Sequence, residues 1–137
     1  MRYLLDTNIA SHLIRGDNAR VVKRTARCSI GSVAVSAITE AELLYGLAKR
    51  GNPPGLAARI SAFLARVEIL PWTRAEATAY SHLRVMCEEK GISLDAMDMM
   101  IGAHARATGS ILVSADKAFG KIPDGLLKLE DWTRAAS

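Results

Sequence analysis

The chain has 137 residues, is 50% hydrophobic and 23% charged, and carries a formal net charge of +4. This length and composition suit one compact domain with a buried core, and we expect residues 1–137 to form it. The two cysteines lie far apart with no CxxC pair, so they suggest neither a disulfide framework nor a zinc knuckle. We recognise no signal sequence and no run of roughly 20 apolar residues, and we therefore expect a cytoplasmic protein.

Short apolar runs alternate with longer helical patterns, which is typical of a parallel sheet covered by helices. We predict strands at 2–5, 33–35, 67–70 and 111–113, with a weaker fifth at 127–129. Helices are predicted at 8–15, 19–28, 37–50, 55–66, 74–90 and 95–108. The predicted fold is therefore a three-layer α/β/α domain with a central parallel sheet of four to five strands.

Asp6 directly follows the first predicted strand, and Asp6-Thr7-Asn8 leads into a helix. Such residues are favoured helix caps, and capping alone would account for Asp6. The carboxyl edge of a parallel sheet is also the usual place for an active site in open α/β folds, so the same carboxylate could be a metal ligand. The two roles are compatible, and Thr7 and Asn8 could then hold the carboxylate in place.

The helix predicted at 37–50 carries two acids, Glu40 and Glu42. Helical positions two apart point about 200° apart, so only one of these acids can face a given site. The segment from Thr39 to Glu42 also fits a capping box, which would explain Glu42 without a functional role. Periodicity alone leaves the choice between the two acids open.

Asp98 lies on the apolar face of the helix predicted at 95–108, together with Ile101. An ionised carboxylate on that face is costly without a partner, which favours a ligand role over a capping role. Asp95, at the predicted start of the helix, is interpreted as a cap. His104 on the same helix is interpreted as a packed side chain and not as a catalytic acid or base.

Asp116 follows the strand at 111–113 and opens a turn, where aspartate is common for local reasons. A strand that follows the Asp98 helix should return to the sheet edge that carries Asp6. Carboxylates gathered at one edge repel one another and persist only with a positive charge among them. A divalent metal is the simplest such charge.

These segments resemble the PIN-domain ribonucleases, and within them the VapC toxins of bacterial toxin–antitoxin modules. The matching segments are YLLDTNI at 3–9, SAIT at 36–39, ELLYG at 42–46, DMMIGAHA at 98–105, ILVSAD at 111–116, and Gly125-Leu126 followed by LEDW at 129–132. Each segment alone is common, but together they follow the family's order and spacing over nearly the whole chain.

The resemblance implies a magnesium- or manganese-dependent endoribonuclease, a homodimer that is inhibited by an acidic VapB-type antitoxin. It selects Glu42 over Glu40 and Asp98 over Asp95. The residues that would bind the metal and carry catalysis are then Asp6, Glu42, Asp98 and Asp116. Oxygen ligands of this kind suit Mg²⁺, which would activate a water for attack at an RNA phosphate.

The fourth segment departs from the family pattern. Toxins of this family often have Thr-Asn before the last acid, whereas this chain has Ser114-Ala115 before Asp116. This chain therefore has the acid of the family pattern, as Asp116, but not the asparagine before it. Ser114 is therefore the polar residue expected to support the ligands from this side, as Thr7 and Asn8 are from the other.

Four cations share one face of the helix predicted at 19–28 and could contact an RNA backbone, namely Arg20, Lys23, Arg24 and Arg27. We name these residues the α2 stripe. A solvated helix face has the same pattern and is the competing explanation.

Two other functions fit parts of the sequence. A phosphatase of the haloacid dehalogenase kind would use Asp6 as a nucleophile, but Asn8 stands where that group has a second aspartate. A non-enzymatic basic binding module would make the acids caps and surface charges, which the apolar position of Asp98 disfavours.

Overall fold

The computed structural model describes residues 1–123 and 125–135. Within these ranges the chain forms one five-stranded sheet, six α-helices and one 3₁₀-helix. The strands are β1 (Tyr3–Leu5), β2 (Val33–Ser36), β3 (Glu68–Leu70), β4 (Ile111–Val113) and β5 (Leu129–Glu130). The helices are α1 (Thr7–Arg15), α2 (Ala19–Ala26), α3 (Ala37–Lys49), α4 (Pro54–Arg66), α5 (Arg74–Glu89) and α6 (Ala96–Thr108), and the 3₁₀-helix covers Phe119–Lys121.

The sheet is parallel throughout and has the order β3-β2-β1-β4-β5. This confirms the predicted three-layer α/β/α fold. The six helices and the first four strands lie within two residues of their predicted bounds. No helix in the described ranges is long and apolar enough to cross a membrane.

Two hydrophobic cores lie on the two faces of the sheet. Leu4 in β1 packs into the core formed with α5 and α6, while its neighbour Leu5 packs into the core formed with α1, α2 and α4. Successive side chains of a strand point to opposite faces, and both leucines are fully buried. The central strands β1, β2 and β4 therefore have no solvated face, as expected for a parallel sheet covered on both sides, whereas Glu68 in the edge strand β3 is exposed.

The predicted fifth strand is present as β5, which covers Leu129–Glu130 where 127–129 was expected, so its bounds differ by two residues at the start and one at the end. A two-residue edge strand carries little pattern of its own, and its place is set by pairing of Leu129 with Leu112 in β4. The 3₁₀-helix was not predicted. It brings the Phe119 ring onto α6 at Gly102, where a Cβ atom would lie 3.0 Å from the ring.

Candidate active site

Three strand ends meet at the carboxyl edge of the sheet. Strand β1 ends in register with both β2 and β4, so Asp6, Ser36 and Ser114 lie side by side at this edge. The Asp6 amide also donates to the Val113 carbonyl at 3.0 Å, which continues the ladder by one residue. The edge therefore brings together segments that are far apart in sequence.

Asp6 is almost completely buried, with 3% of its surface exposed. Its Oδ1 accepts a hydrogen bond of 2.9 Å from the Ile9 amide and caps α1, which confirms the capping interpretation. Burial raises the pKa of the Asp6 carboxyl, and hydrogen bonds from Ser114 and Ile9 offset the rise only in part. The nearby carboxylates of Asp116 and Glu42 raise that pKa further.

Glu42 is tied to the start of α1. The Thr7 hydroxyl donates to Glu42 Oε1 at 2.6 Å, and the hydroxyls of Thr7 and Thr39 lie 3.1 Å apart. Glu42 acts on the pKa of Asp6, whereas Glu40 makes no side-chain hydrogen bond or ion pair within the described residues. The structure thus brings Glu42 to Asp6, and its role as a ligand stays a prediction.

Asp98 lies half-buried in the first turn of α6. Its amide donates to Asp95 Oδ1 at 2.8 Å, which confirms Asp95 as the cap of this helix. Burial is the largest of the effects that raise the pKa of Asp98 to about 7, followed by the charge and hydrogen bonding of Asp95 and then by the charges of Asp116 and Asp6. Asp98 therefore belongs to the same electrostatic cluster as Asp6.

Asp116 is exposed and has the turn role that the sequence allowed. Its Oδ1 accepts from the Ala118 amide at 2.9 Å, and its own amide donates to the Ser114 hydroxyl at 3.0 Å. Its charge raises the pKa of both Asp6 and Asp98. The four predicted acids are thus one group, which we name the carboxylate cluster (Asp6, Glu42, Asp98 and Asp116).

The three residues predicted to support the acids differ in their contacts. The Thr7 hydroxyl donates to the Glu42 carboxylate, and the Ser114 hydroxyl accepts from the Asp116 amide and acts to lower the pKa of Asp6. Asn8 is exposed, and within the described residues its side chain makes no hydrogen bond. The supporting role of Asn8 stays a prediction without a contact behind it.

The carboxylate cluster has no cationic partner among residues 1–123 and 125–135, since none of its members forms an ion pair there. In the same ranges, no three His, Cys, Asp or Glu side chains are already arranged to hold a metal ion. Repulsion between carboxylates opposes their closer approach. The donors are oxygens alone, a set that fits a hard cation such as Mg²⁺ or Mn²⁺ and not zinc.

Three helices begin at the same edge. Helix α1 starts at Thr7, α3 at Ala37 and α6 at Ala96. A helix N-terminus carries partial positive charge that favours anions, and the side chains of Asp6, Ser36 and Asp95 cap these three helices. This edge of the fold therefore combines the carboxylates with the positive ends of three helix dipoles.

Sequence reasoning missed the buried pair of Ser36 and His104, which lies behind this edge. His104 is fully buried, its Nδ1 is 2.7 Å from Ser36 Oγ, and its ring packs edge-on against Trp72. Ser36 Oγ accepts from the Ile38 amide and so caps α3. Burial lowers the pKa of His104, so the ring is neutral, and the packed interpretation of this histidine is confirmed. The serine between a strand and a helix was the available signal.

The α2 stripe lies away from the carboxylate cluster. The Arg24 guanidinium is 5.1 Å from the Tyr3 ring and 4.8 Å from the Trp132 ring, and it donates to the Tyr3 hydroxyl at 3.1 Å. Tyr3 begins the strand that Asp6 follows, so these contacts lie toward the other end of β1. Arg20 donates to a backbone carbonyl, and the other two cations are exposed. RNA binding by the stripe stays a prediction.

Comparisons with known proteins place these features in a family. The family model described as the PIN domain matches residues 3–125. The chain is 32% identical to the tRNA(fMet)-specific endonuclease VapC of Shigella flexneri, over 97% of this chain and 99% of that protein. It is 33% identical to Ribonuclease VapC2 of Haemophilus influenzae, over 96% and 98%. Among solved structures, VapBC2 from Rickettsia felis, bound to a DNA fragment from its promoter, matches with a TM-score of 0.84 and 30% identity over 96% of this chain and 99% of that one.

Proposed function

The chain belongs to the PIN-domain family, and from that premise we propose that it is a VapC-type toxin that hydrolyses RNA phosphodiester bonds with the help of Mg²⁺ or Mn²⁺. Relatives that match it over almost their whole length are named as ribonucleases, so the class of reaction is RNA hydrolysis. The dependence on a metal and the roles of individual residues are the proposed part.

One observation carries the proposed site. The charges of Glu42 and Asp116 raise the pKa of Asp6, and those of Asp116 and Asp6 raise the pKa of Asp98. None of the four carboxylates has a cationic partner in the described ranges. Keeping such charge together without compensation costs free energy, which a bound divalent cation would offset. Asp6, Glu42, Asp98 and Asp116 are therefore the proposed ligands.

A bound Mg²⁺ or Mn²⁺ would supply Lewis acidity and a more acidic water at the scissile phosphate. Hydrogen bonds within the chain would hold the ligand side chains in position. Asp6 is fixed by the cap of α1, and the Thr7 hydroxyl directs one oxygen of Glu42. The N-termini of α1, α3 and α6 offer partial positive charge to the phosphate that enters beside the acids.

The two alternative functions are not favoured. The family match is to the PIN domain, and the relatives are named as ribonucleases, neither of which suits a phosphatase with Asp6 as a nucleophile. A binding module would give no reason for four carboxylates at one edge of the sheet without a cationic partner in the described ranges, where Asp6 and Asp98 have a raised pKa. Both observations support the nuclease.

The partner proposed for the protein is an acidic VapB-type antitoxin. Solved structures similar to this chain include VapBC complexes from Rickettsia felis and Salmonella typhimurium, with 30% and 28% identity. We propose that the antitoxin neutralises the nuclease, that the nuclease is a homodimer, and that it acts in the cytoplasm, where its RNA substrates are.

The function is tested by incubating the purified protein with total transfer RNA in buffers that contain Mg²⁺, Mn²⁺ or EDTA. Transfer RNA is the first choice because the Shigella relative is named for one. Cleavage with either metal and none in EDTA is expected, and sequencing the ends of the products would identify the site. Equal cleavage in EDTA would refute metal dependence, and intact RNA in all buffers, with ribosomal and messenger RNA also intact, would refute the nuclease.

A further inference from the structure

A groove with a volume of about 440 Å³ lies between α1, α3 and α4. Thr7 and Glu42 line one end of it, so the groove opens directly onto the carboxylate cluster. Volumes of this size accommodate small ligands or a short stretch of a larger one. A molecule that reacts at the cluster can therefore extend into the groove without a break.

The groove carries three arginines, one from each of the elements around it. Arg15 comes from α1, Arg50 caps the end of α3, and Arg59 comes from α4. Arg15 pairs with Asp17 at 2.7 Å. Arg50 and Arg59 are exposed, and across residues 1–123 and 125–135 neither side chain forms an ion pair or a hydrogen bond.

We propose that this groove binds the RNA strand next to the scissile bond, with Arg50 and Arg59 each holding one backbone phosphate. The inference rests on the proposed function, because it extends the substrate path away from the carboxylate cluster. It assigns these two arginines as positioning residues for the substrate. They contact phosphates and not bases, so they add affinity and register without sequence preference.

Electrostatics give the reason why the strand needs such an anchor. Four carboxylates repel the phosphates on either side of the scissile one, and a metal can compensate only at the centre. Glu42 and Arg50 are eight residues apart on one helix, which is about 12 Å along the axis. Arg50 is thus too far from Glu42 to neutralise it but well placed for a neighbouring phosphate, which a guanidinium can bind through two parallel hydrogen bonds.

The floor of the groove includes a residue without a side chain. Gly46 lines the groove between Glu42 and Arg50, and a Cβ atom built there would have no protein atom within 4 Å. Its backbone φ is not positive, so the conformation itself does not require glycine. The absence of a side chain keeps the groove open, and a larger residue would fill the path of the strand without disturbing the core.

The test measures binding of a fluorescently labelled 10-nucleotide single-stranded RNA in EDTA, where proposed cleavage chemistry is inactive. Arg50→Ala combined with Arg59→Ala is expected to weaken binding by roughly tenfold or more, since each substitution removes a charge-assisted contact. The slope of log affinity against log salt should become shallower by about 0.7 for each arginine.

Matched controls remove the same charge from the same helices outside the groove. The control combines Lys49→Ala, which removes a cation next to Arg50 whose ammonium lies 5.9 Å from the Tyr45 ring, with Arg66→Ala, which removes one from the end of α4. Binding by this control double variant is expected to stay within about twofold of wild type, because neither side chain lines the groove. Equal losses in the two double variants, which each remove two charges, would reduce the effect to net charge and overturn the proposal.

Gly46→Leu gives an independent test, with Ala48→Leu, an exposed position of the same helix outside the groove, as its control. Only Gly46→Leu should block RNA binding, and both variants should melt as cooperatively as wild type. Full RNA binding by Gly46→Leu and by the arginine double variant, with loss only of inhibition by the acidic antitoxin, would assign the groove to the protein partner and overturn the proposal. Because binding is read in EDTA, RNA that binds as expected but is never cleaved in Mg²⁺ would refute the nuclease function alone.

Discussion

The carboxylate cluster and the α2 stripe are both groups of like charge that were identified from the sequence, and their charges have different surroundings in the structure. At the cluster, no member has a cationic partner in the described ranges, and two of the carboxyls have raised pKa values. In the stripe, Arg24 lies over two aromatic rings, donates to the Tyr3 hydroxyl and pairs with Glu130 at 3.7 Å, whereas Lys23 and Arg27 are exposed. Charge that the protein satisfies internally is structural, whereas charge left uncompensated is available to a ligand.

The largest effect is expected from removing charge at the cluster. Asp6→Asn, Asp98→Asn and Glu42→Gln should each reduce RNA cleavage by roughly 1,000-fold, because each removes a ligand whose loss costs several kcal/mol of transition-state stabilisation. The fold should persist, since losing one carboxylate relieves repulsion. Cleavage is measured under single-turnover conditions, with circular dichroism to verify folding.

Glu40→Gln is the matched control for Glu42→Gln. The two residues lie on the same helix, and only Glu42 bonds to Thr7. Equal losses from both substitutions would mean that position in the cluster does not matter, which contradicts the assignment.

A smaller effect is expected from the residue that directs Glu42. Thr7→Val removes the hydroxyl that donates to Glu42 Oε1 at 2.6 Å and should lower cleavage roughly 10- to 100-fold, the usual range for a group that orients a ligand. Thr7→Ser should restore most of the activity. Thr25→Val is the control, because its hydroxyl bonds to a backbone carbonyl in α2 and is remote from the acids. A Thr7→Val enzyme as active as wild type would show that Glu42 needs no such support.

The next largest effect is a loss of stability on removal of Arg24 from the α2 stripe. Arg24→Ala removes two ring contacts and the bond to Tyr3, and we expect it to destabilise the protein by about 2 kcal/mol, or roughly 5–10 °C in melting temperature. Lys23→Ala on the same helix is exposed and should change the melting temperature by less than about 1–2 °C. Thermal melts of both variants measure this difference. Equal shifts in melting temperature would contradict a structural role specific to Arg24.

The smallest expected effect is a pH dependence of the free energy of unfolding, which arises from Asp98 in the carboxylate cluster. The folded pKa of Asp98, about 7, lies above its value in the unfolded chain, so the folded state keeps a proton that the unfolded state has lost. This stabilising contribution is complete below pH ~4 and disappears as the pH rises through 7. Allowing for solvent screening at a half-buried group, the metal-free protein should lose on the order of 1 kcal/mol across this window.

Urea unfolding in EDTA at several pH values measures this loss. Asp98→Asn should flatten the profile, because an amide does not titrate. Millimolar Mg²⁺ should raise the melting temperature of wild type more at pH 8 than at pH 5, since it competes with protons for the same carboxylate. A wild-type profile identical to that of Asp98→Asn would contradict the raised pKa.

Local patterns predicted much of the fold. The 3.6-residue periodicity located the six helices, and short apolar runs located the strands, to within two residues. The 3₁₀-helix was not predicted, and β5 was located only approximately, because both elements are too short to hold a pattern. Their positions depend on long-range contacts, such as the pairing of Leu129 with Leu112 and the packing of Phe119 on Gly102.

The sequence by itself determined that Asp6 and Asp116 would follow strand ends, that Asp98 would lie in the first turn of a helix, and that these positions would share one edge of a parallel sheet. It could do so because the strand and helix repeats, and the handedness that joins them, are properties of neighbouring residues. Only the tertiary structure decided which charges are satisfied. The partners that decide it are far apart in the chain, with Thr7 and Glu42 separated by 35 residues and Ser36 and His104 by 68, and no local pattern encodes such a contact.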